Sequence, residues 1–198
     1  FLPKIASGEW ISCYNLTEPN AGSDANSGTT QAVLSEDEKY YEITGQKIWI
    51  SNAGFAEVYI VFGRIENDKN ITGFVLEKSN SEGITLGDEE KKLGLHSSST
   101  RQVFYDKTKI PINQMLGERN GGFKIAMNAL NVGRIKLCSA TSTAAEKVLN
   151  ISIEYALQRK QFKNAIINYG AIKEKLANMA TKIYCSIAAL YRAGNDIE

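Results

Sequence analysis

From Thr29 to about Val103 the chain alternates apolar and polar residues in short runs, among them Tyr40 to Ile43, Lys47 to Ser51, Val58 to Arg64 and Gly73 to Glu77. Alternation of period two puts every second side chain on one face of an extended segment, so these runs predict antiparallel β-strands. Thr44-Gly45 and the polar tract Glu66-Asn67-Asp68-Lys69-Asn70 read as turns between them. Strands at this spacing predict a small antiparallel barrel or sandwich, giving a β domain over residues 1–113.

Past Ile110-Pro111 the period changes. After Gly121-Gly122, the residues Phe123, Met127, Leu130, Arg134 and Leu137 fall at helical spacing, and Val148, Ile151 and Tyr155 resume it, which predicts one long helix. A second stripe, Ile172, Leu176, Met179, Ile183, Ile187 and Leu190, advances in steps of three and four. Two long antiparallel helices facing each other cover only part of two such stripes, so residues 114–198 read as an incomplete helical bundle completed by further helices or a partner chain. The fold class is therefore α+β.

Composition narrows the picture modestly. Of 198 residues, 43% are hydrophobic and 23% charged, enough to build a core, and a formal net charge of +1 gives no electrostatic case for nucleic acid or an anionic membrane. Cys13, Cys138 and Cys185 form no CxxC pair and His96 is the single histidine, so neither a disulfide framework nor a structural metal is expected. No stretch has the length of a membrane span, and FLPKIASGEW lacks the features of a signal peptide. The chain opens on Phe1 rather than Met, which suggests a piece of a longer protein.

The richest segment is Leu16-Thr17-Glu18-Pro19-Asn20-Ala21-Gly22-Ser23-Asp24. Pro19 fixes φ and removes a donor, while Gly22 admits left-handed or closely approached backbone, so a regular helix or central strand is excluded here. Thr17, Ser23 and the amides around Gly22 suit a ligand with phosphate or ring-edge acceptors. The other reading is an ordinary surface loop capped by Ser23 or Asp24.

Four segments, YNLTEPNAGSDA, GQKIWISNAGFAEVYIVFGR, KLGLHSSSTRQVFYD and ALQRKQF, in this order along the chain, resemble the acyl-CoA dehydrogenase family, with the pattern of its very-long-chain branch. The resemblance covers the family's middle β domain and the start of its C-terminal helical domain. It implies FAD as cofactor: Tyr14, Leu16, Thr17, Gly22 and Ser23 would wrap the flavin, with Thr17 and Ser23 hydrogen-bonding it and Ser23 also touching substrate. Trp49, Ile50 and Ser51 would lie along the isoalloxazine, Trp49 over one face and Ser51 near N5. An isolated strand Trp would otherwise be a core aromatic.

Arg159, Gln161 and Phe162 match the segment that reaches the FAD of a neighbouring subunit, which implies a homodimer or homotetramer. The alternative is a cationic cluster at a helix C-terminus. One departure stands out, Lys163 where the family usually has Gly, and Tyr169-Gly170 is not the His-Gln pair of some members. Asn131 and Arg134 match the helical stretch that meets the acyl-CoA, Arg134 being read as a buried cation that needs the ligand or a carboxylate. Gly133 stands where some branches keep the catalytic Glu, and the space it leaves gives room for an acyl chain. No catalytic residue is therefore assigned within this chain, the base being expected beyond Glu198.

The implied activity is α,β-dehydrogenation of fatty acyl-CoA thioesters within fatty-acid β-oxidation, with electrons passed to electron-transfer flavoprotein. The alternatives are a non-catalytic flavin or acyl-CoA scaffold and an acyl-CoA oxidase. The implied location is the bacterial cytoplasm or the mitochondrial matrix. Glu18 and Asp24 are rejected as bases in favour of capping or loop hydrogen bonds, Ser97 to Thr100 are read as structural, and His96 is given no role.

Overall fold

The computed structural model describes residues 1–196. A short helix α1 (Leu2–Ser7) precedes the strands β1 (Ser12–Asn15), β2 (Gln31–Leu34), β3 (Tyr40–Ser51), β4 (Val58–Ile65), β5 (Thr72–Glu77), β6 (Ile84–Glu89), β7 (Thr100–Pro111) and β8 (Met115–Leu116). Then come α2 (Gly122–Gln158), a small hairpin of β9 (Lys160–Gln161) and β10 (Asn164–Ala165), and α3 (Gly170–Asn195). The chain divides into two compact units, Phe1–Met127 and Asn128–Glu198.

In the first unit the strands form one sheet of order β6-β7-β3-β2-β4-β5-β8, with β1 also on β4. Most pairs are antiparallel, as the alternation predicts, but the purely antiparallel expectation is corrected at two places. β1 runs parallel to the first half of β4, Ser12 opposite Val58, and β2 runs parallel to its last residues, Gln31 opposite Arg64. Alternation reports which face a side chain takes and carries no information about the direction of the neighbouring strand, so the sequence could not show this.

The expected turn at Thr44-Gly45 is also corrected, because β3 continues straight through it. Gly45 is needed for close approach instead. A Cβ there would lie 2.8 Å from Thr30 Cα and 2.5 Å from Thr30 Oγ1. The pairing of β3 with β7 slips between Ile43 and Gly45, and again between Lys47 and Ile50. Each slip coincides with a left-handed residue, Lys107 at φ 49 and Trp49 at φ 60, as expected where one strand carries an extra residue.

β4 is covered on both sides. Tyr59, Val61 and Ile65 join Ile43, Ile50, Phe74, Leu76, Val103 and Tyr105 in the main core. Phe62 turns the other way, into a second cluster with Leu16, Ala25, Ile71 and Ala126 at the start of α2. Gly122 permits that seating: its amide donates to the Ile71 carbonyl at 2.9 Å, and a Cβ would fall 2.7 Å from the Thr72 carbonyl carbon.

In the second unit, residues late in α2 face residues early in α3, so the two helices are antiparallel as expected. Ile151, Tyr155 and Ala156 line one cleft with Ile172, Leu176 and Met179, and Ile135, Ser139 and Ser142 line another, of 860 Å³, with Ile187 and Leu190. The six residues of the predicted α3 stripe are its partly buried ones, spaced 3 or 4 apart. For α2 the expected stripe is corrected. Leu137, Val148, Ile151 and Tyr155 are more than half exposed, and the buried positions are Ser142, Leu149 and Ala156. α2 carries apolar residues around most of its circumference, so hydrophobic spacing alone does not single out the positions it buries.

Candidate functional site

The loop after β1 is fixed by a buried ion pair. Lys47 Nζ lies 2.7 Å from Glu18 Oε1, with the two side chains 1% and 3% exposed. The same ammonium donates to the Leu16 carbonyl at 3.1 Å, and Glu18 Oε2 accepts from the Thr29 amide at 2.5 Å and its hydroxyl at 2.9 Å. Thr30 N adds a contact of 3.1 Å to Oε1. Burial opposes ionisation of Glu18, but the Lys47 charge and these donors outweigh it and hold the carboxyl down to about 2. Burial pulls the Lys47 ammonium below its ordinary value, with Glu18 opposing. Within the loop, Glu18 N donates to Ala21 O and Ala21 N to Glu18 O, at 3.2 and 3.1 Å, making a tight turn over Pro19-Asn20.

β3 is joined to this loop one residue further on, where Ile48 N donates to Thr17 O at 2.9 Å. The next residue is Trp49. From Tyr41 through Ile43 and Gly45 to Lys47 the odd positions face inward, and unbroken alternation would bury Trp49 too. The left-handed residue inverts the order: Trp49 is 58% exposed, Ile50 is buried in the core, and Ser51 is exposed again. The result is a large aromatic face and a hydroxyl on the outer side of β3, at the strand segment to which the loop is tied.

The sequence-derived residues thus fall into three groups. Thr17 is partly buried and Gly22, Ser23, Trp49 and Ser51 are exposed, on the loop and on the strand segment that Ile48 N ties to it, and a Cβ on Gly22 would meet no atom within 4 Å. Leu16 and Ile50 are buried, and Tyr14 is half-buried, its ring edge-on to Phe62 and its hydroxyl donating to Ala126 O at 3.2 Å.

The remaining residues lie in the second unit. Arg159 follows α2, and Gln161 opens the β9–β10 hairpin, whose central residues Phe162 and Lys163 have φ 47 and 65, a type I′ turn. Phe162 is 92% exposed. Lys163 therefore occupies a left-handed position that glycine satisfies without strain. Arg134 is not the buried cation expected: it is exposed on α2 and donates to Asn131 Oδ1 at 2.5 Å, one turn away. The helix at this point presents an open surface, so the ion needs no buried partner.

Lys47 was missed by the sequence reading, although a signal was present, a lysine in phase with Tyr41 and Ile43 on the inward face of its strand. Asn15 and Tyr105 were missed as well. Both are buried and joined by a 3.1 Å hydrogen bond from the Tyr105 hydroxyl to Asn15 Oδ1. Ser99 and Thr100 N bind the Glu89 carboxylate, consistent with a structural role for that segment.

Comparison with known proteins agrees with this architecture. Residues 13–108 match the acyl-CoA dehydrogenase middle domain and residues 120–198 the acyl-CoA dehydrogenase C-terminal domain. The chain belongs to the acyl-CoA dehydrogenase family. It is 43% identical over 192 residues to a probable acyl-CoA dehydrogenase of Bacillus subtilis (strain 168), covering 97% of this chain and 32% of the relative. It is 40% identical over 206 residues to the mitochondrial very long-chain specific acyl-CoA dehydrogenase of Bos taurus, covering 100% of this chain and 31% of that protein. The solved structure of an acyl-CoA dehydrogenase complexed with FAD from Bacillus anthracis superposes with a TM-score of 0.89 at 42% identity, over 97% of this chain and 33% of that one. The chain thus spans about a third of the length of these relatives.

Proposed function

We propose that the protein containing this chain is an FAD-dependent acyl-CoA dehydrogenase that forms an α,β double bond in fatty acyl-CoA thioesters. The observation that carries the reading is Trp49, turned outward at a left-handed residue beside the Thr17 loop. A large aromatic held exposed by a strained backbone is costly for the fold alone and suited to supporting a flat ring. The donor set suits the same ligand: the loop carries hydroxyls at Thr17 and Ser23, Ser51 follows that aromatic two residues along β3, and the backbone at Gly22 is open to close approach.

In this reading Thr17 and Ser23 fix the flavin ring edge, Trp49 supports one face, and Ser51 donates near the reacting nitrogen. FAD held by these residues would supply the acceptor for the hydride leaving the substrate β-carbon, with an electron-transfer flavoprotein as the onward electron acceptor. Ser23 in the first unit, and separately Asn131 and Arg134 in the second, are assigned to acyl-CoA contacts, and at Gly133 an added Cβ would meet no atom within 4 Å. Arg159, Gln161 and the projecting Phe162 serve the cofactor of a second copy in a homo-oligomer. Glu18 cannot act as base, being enclosed and held near 2, and the α-proton is assigned to a Glu beyond Glu198. The location, bacterial cytoplasm or mitochondrial matrix, follows the same reading.

The test is to titrate the full-length protein with FAD and then, without oxygen, with acyl-CoAs of increasing chain length. Loss of the oxidised flavin absorbance is expected with at least one thioester. No bleaching at any chain length would refute the dehydrogenase reading.

A further inference from the structure

We infer that the buried Lys47–Glu18 pair is the positioning element of the cofactor site, locking the loop and the Trp49 platform into their working arrangement before the cofactor binds. The inference rests on the proposed FAD site and concerns two residues that do not themselves reach its accessible surface.

The geometry is an unbroken sequence of links. Lys47 binds Leu16 O and Glu18 Oε1, and Ile48 N binds Thr17 O, so three consecutive loop residues are held by two consecutive strand residues. The residue after these two is Trp49, at φ 60. On the far side Glu18 takes the amides of Thr29 and Thr30 and so ties the loop to the segment entering β2. Lys47 must stay inward to reach Glu18, and Ile50 must reach the core three residues later. An extra residue between them satisfies both, and the inversion it causes puts Trp49 and Ser51 on the outer face. A loop left to itself would order only on binding and weaken affinity by the cost of that ordering.

The experiment compares FAD affinity of the apo-protein for the wild type, Lys47→Met, Glu18→Gln and the double variant Glu18→Gln/Lys47→Met, together with the circular dichroism of the bound flavin. Ile110→Val, which opens a small cavity in the main core opposite Tyr41, at the end of β3 away from the loop, is the control for general destabilisation. Each single variant is expected to weaken FAD binding at least tenfold and to change the flavin dichroism. The double variant should be no weaker than the worse single, because each change breaks the same link. Ile110→Val should bind FAD as the wild type does.

Unchanged FAD affinity in either single variant, additive losses in the double, or an equal loss in Ile110→Val would each overturn the inference. Should the single variants not fold, Glu18→Met/Lys47→Met removes both charges together and avoids leaving one uncompensated. Wild-type affinity in that protein would overturn the inference, and a tenfold loss would support it. Failure of the wild type itself to bind FAD would instead refute the functional reading on which this one stands.

Discussion

Gly45→Ala tests the connection between the sheet and the site most directly. The new Cβ would lie 2.5 to 2.8 Å from Thr30 Oγ1, Cα and Cβ, where ordinary carbon contacts are about 3.5 to 4.0 Å, so the two backbones must separate by about 1 Å. Thr30 cannot retreat. It is buried, and a Cβ on Gly63 behind it would already be 3.3 Å from its carbonyl oxygen, leaving the threonine threaded between two glycine positions. Overpacking of this kind costs about 1–3 kcal/mol. The shift also pulls Thr30 N from Glu18, a hydrogen bond to a charged group worth about 1.5–3 kcal/mol. A loss of about 2.5–6 kcal/mol is expected, read as a lower urea midpoint at constant slope, with weakened FAD binding in the protein that remains folded. Gly22→Ala, whose Cβ meets nothing within 4 Å, should change stability by less than about 0.5 kcal/mol. Equal effects of the two substitutions, or a loss below about 1 kcal/mol for Gly45→Ala, would show that Thr30 is not confined as described.

Three further outcomes are expected. Glu18 is held at about 2 against an ordinary 4.5, so its contribution to stability is complete above about pH 4.5 and is lost as the pH falls toward 2. It amounts to about 3 kcal/mol, and urea unfolding from pH 6 to pH 2.5 should show a shallower acid decline in Glu18→Gln than in the wild type. Lys163→Gly relieves a left-handed residue on an exposed hairpin and should raise stability by about 1 kcal/mol in thermal melts, whereas Lys163→Val should lower it. Trp49→Ala should lower FAD affinity at least tenfold in fluorescence titration. Its cost to the apo fold should stay below the 3–5 kcal/mol typical of a buried aromatic, because more than half of the side chain is already in solvent.

Periodicity along the chain was enough to place the strands from Tyr40 to Glu77, the two long helices and the α3 stripe, because burial of one face imposes that period directly on the residues. The loop from Leu16 to Asp24 was legible for a different reason: Pro19 and Gly22 exclude regular structure whatever surrounds them. What the sequence left open depends on contacts between distant segments. The parallel neighbours of β4, the threading of Thr30 past Gly45 and the face α2 buries are set by which segments lie alongside one another. The pairing of Glu18 with Lys47, 29 residues apart, is the clearest case, since charged side chains ordinarily face water and only the packing of the loop against the sheet removes it from both. Trp49 makes the same point in reverse. Its strand pattern alone puts it inside, and the competition between Lys47 and Ile50 for the interior turns it out to where a ring can meet it.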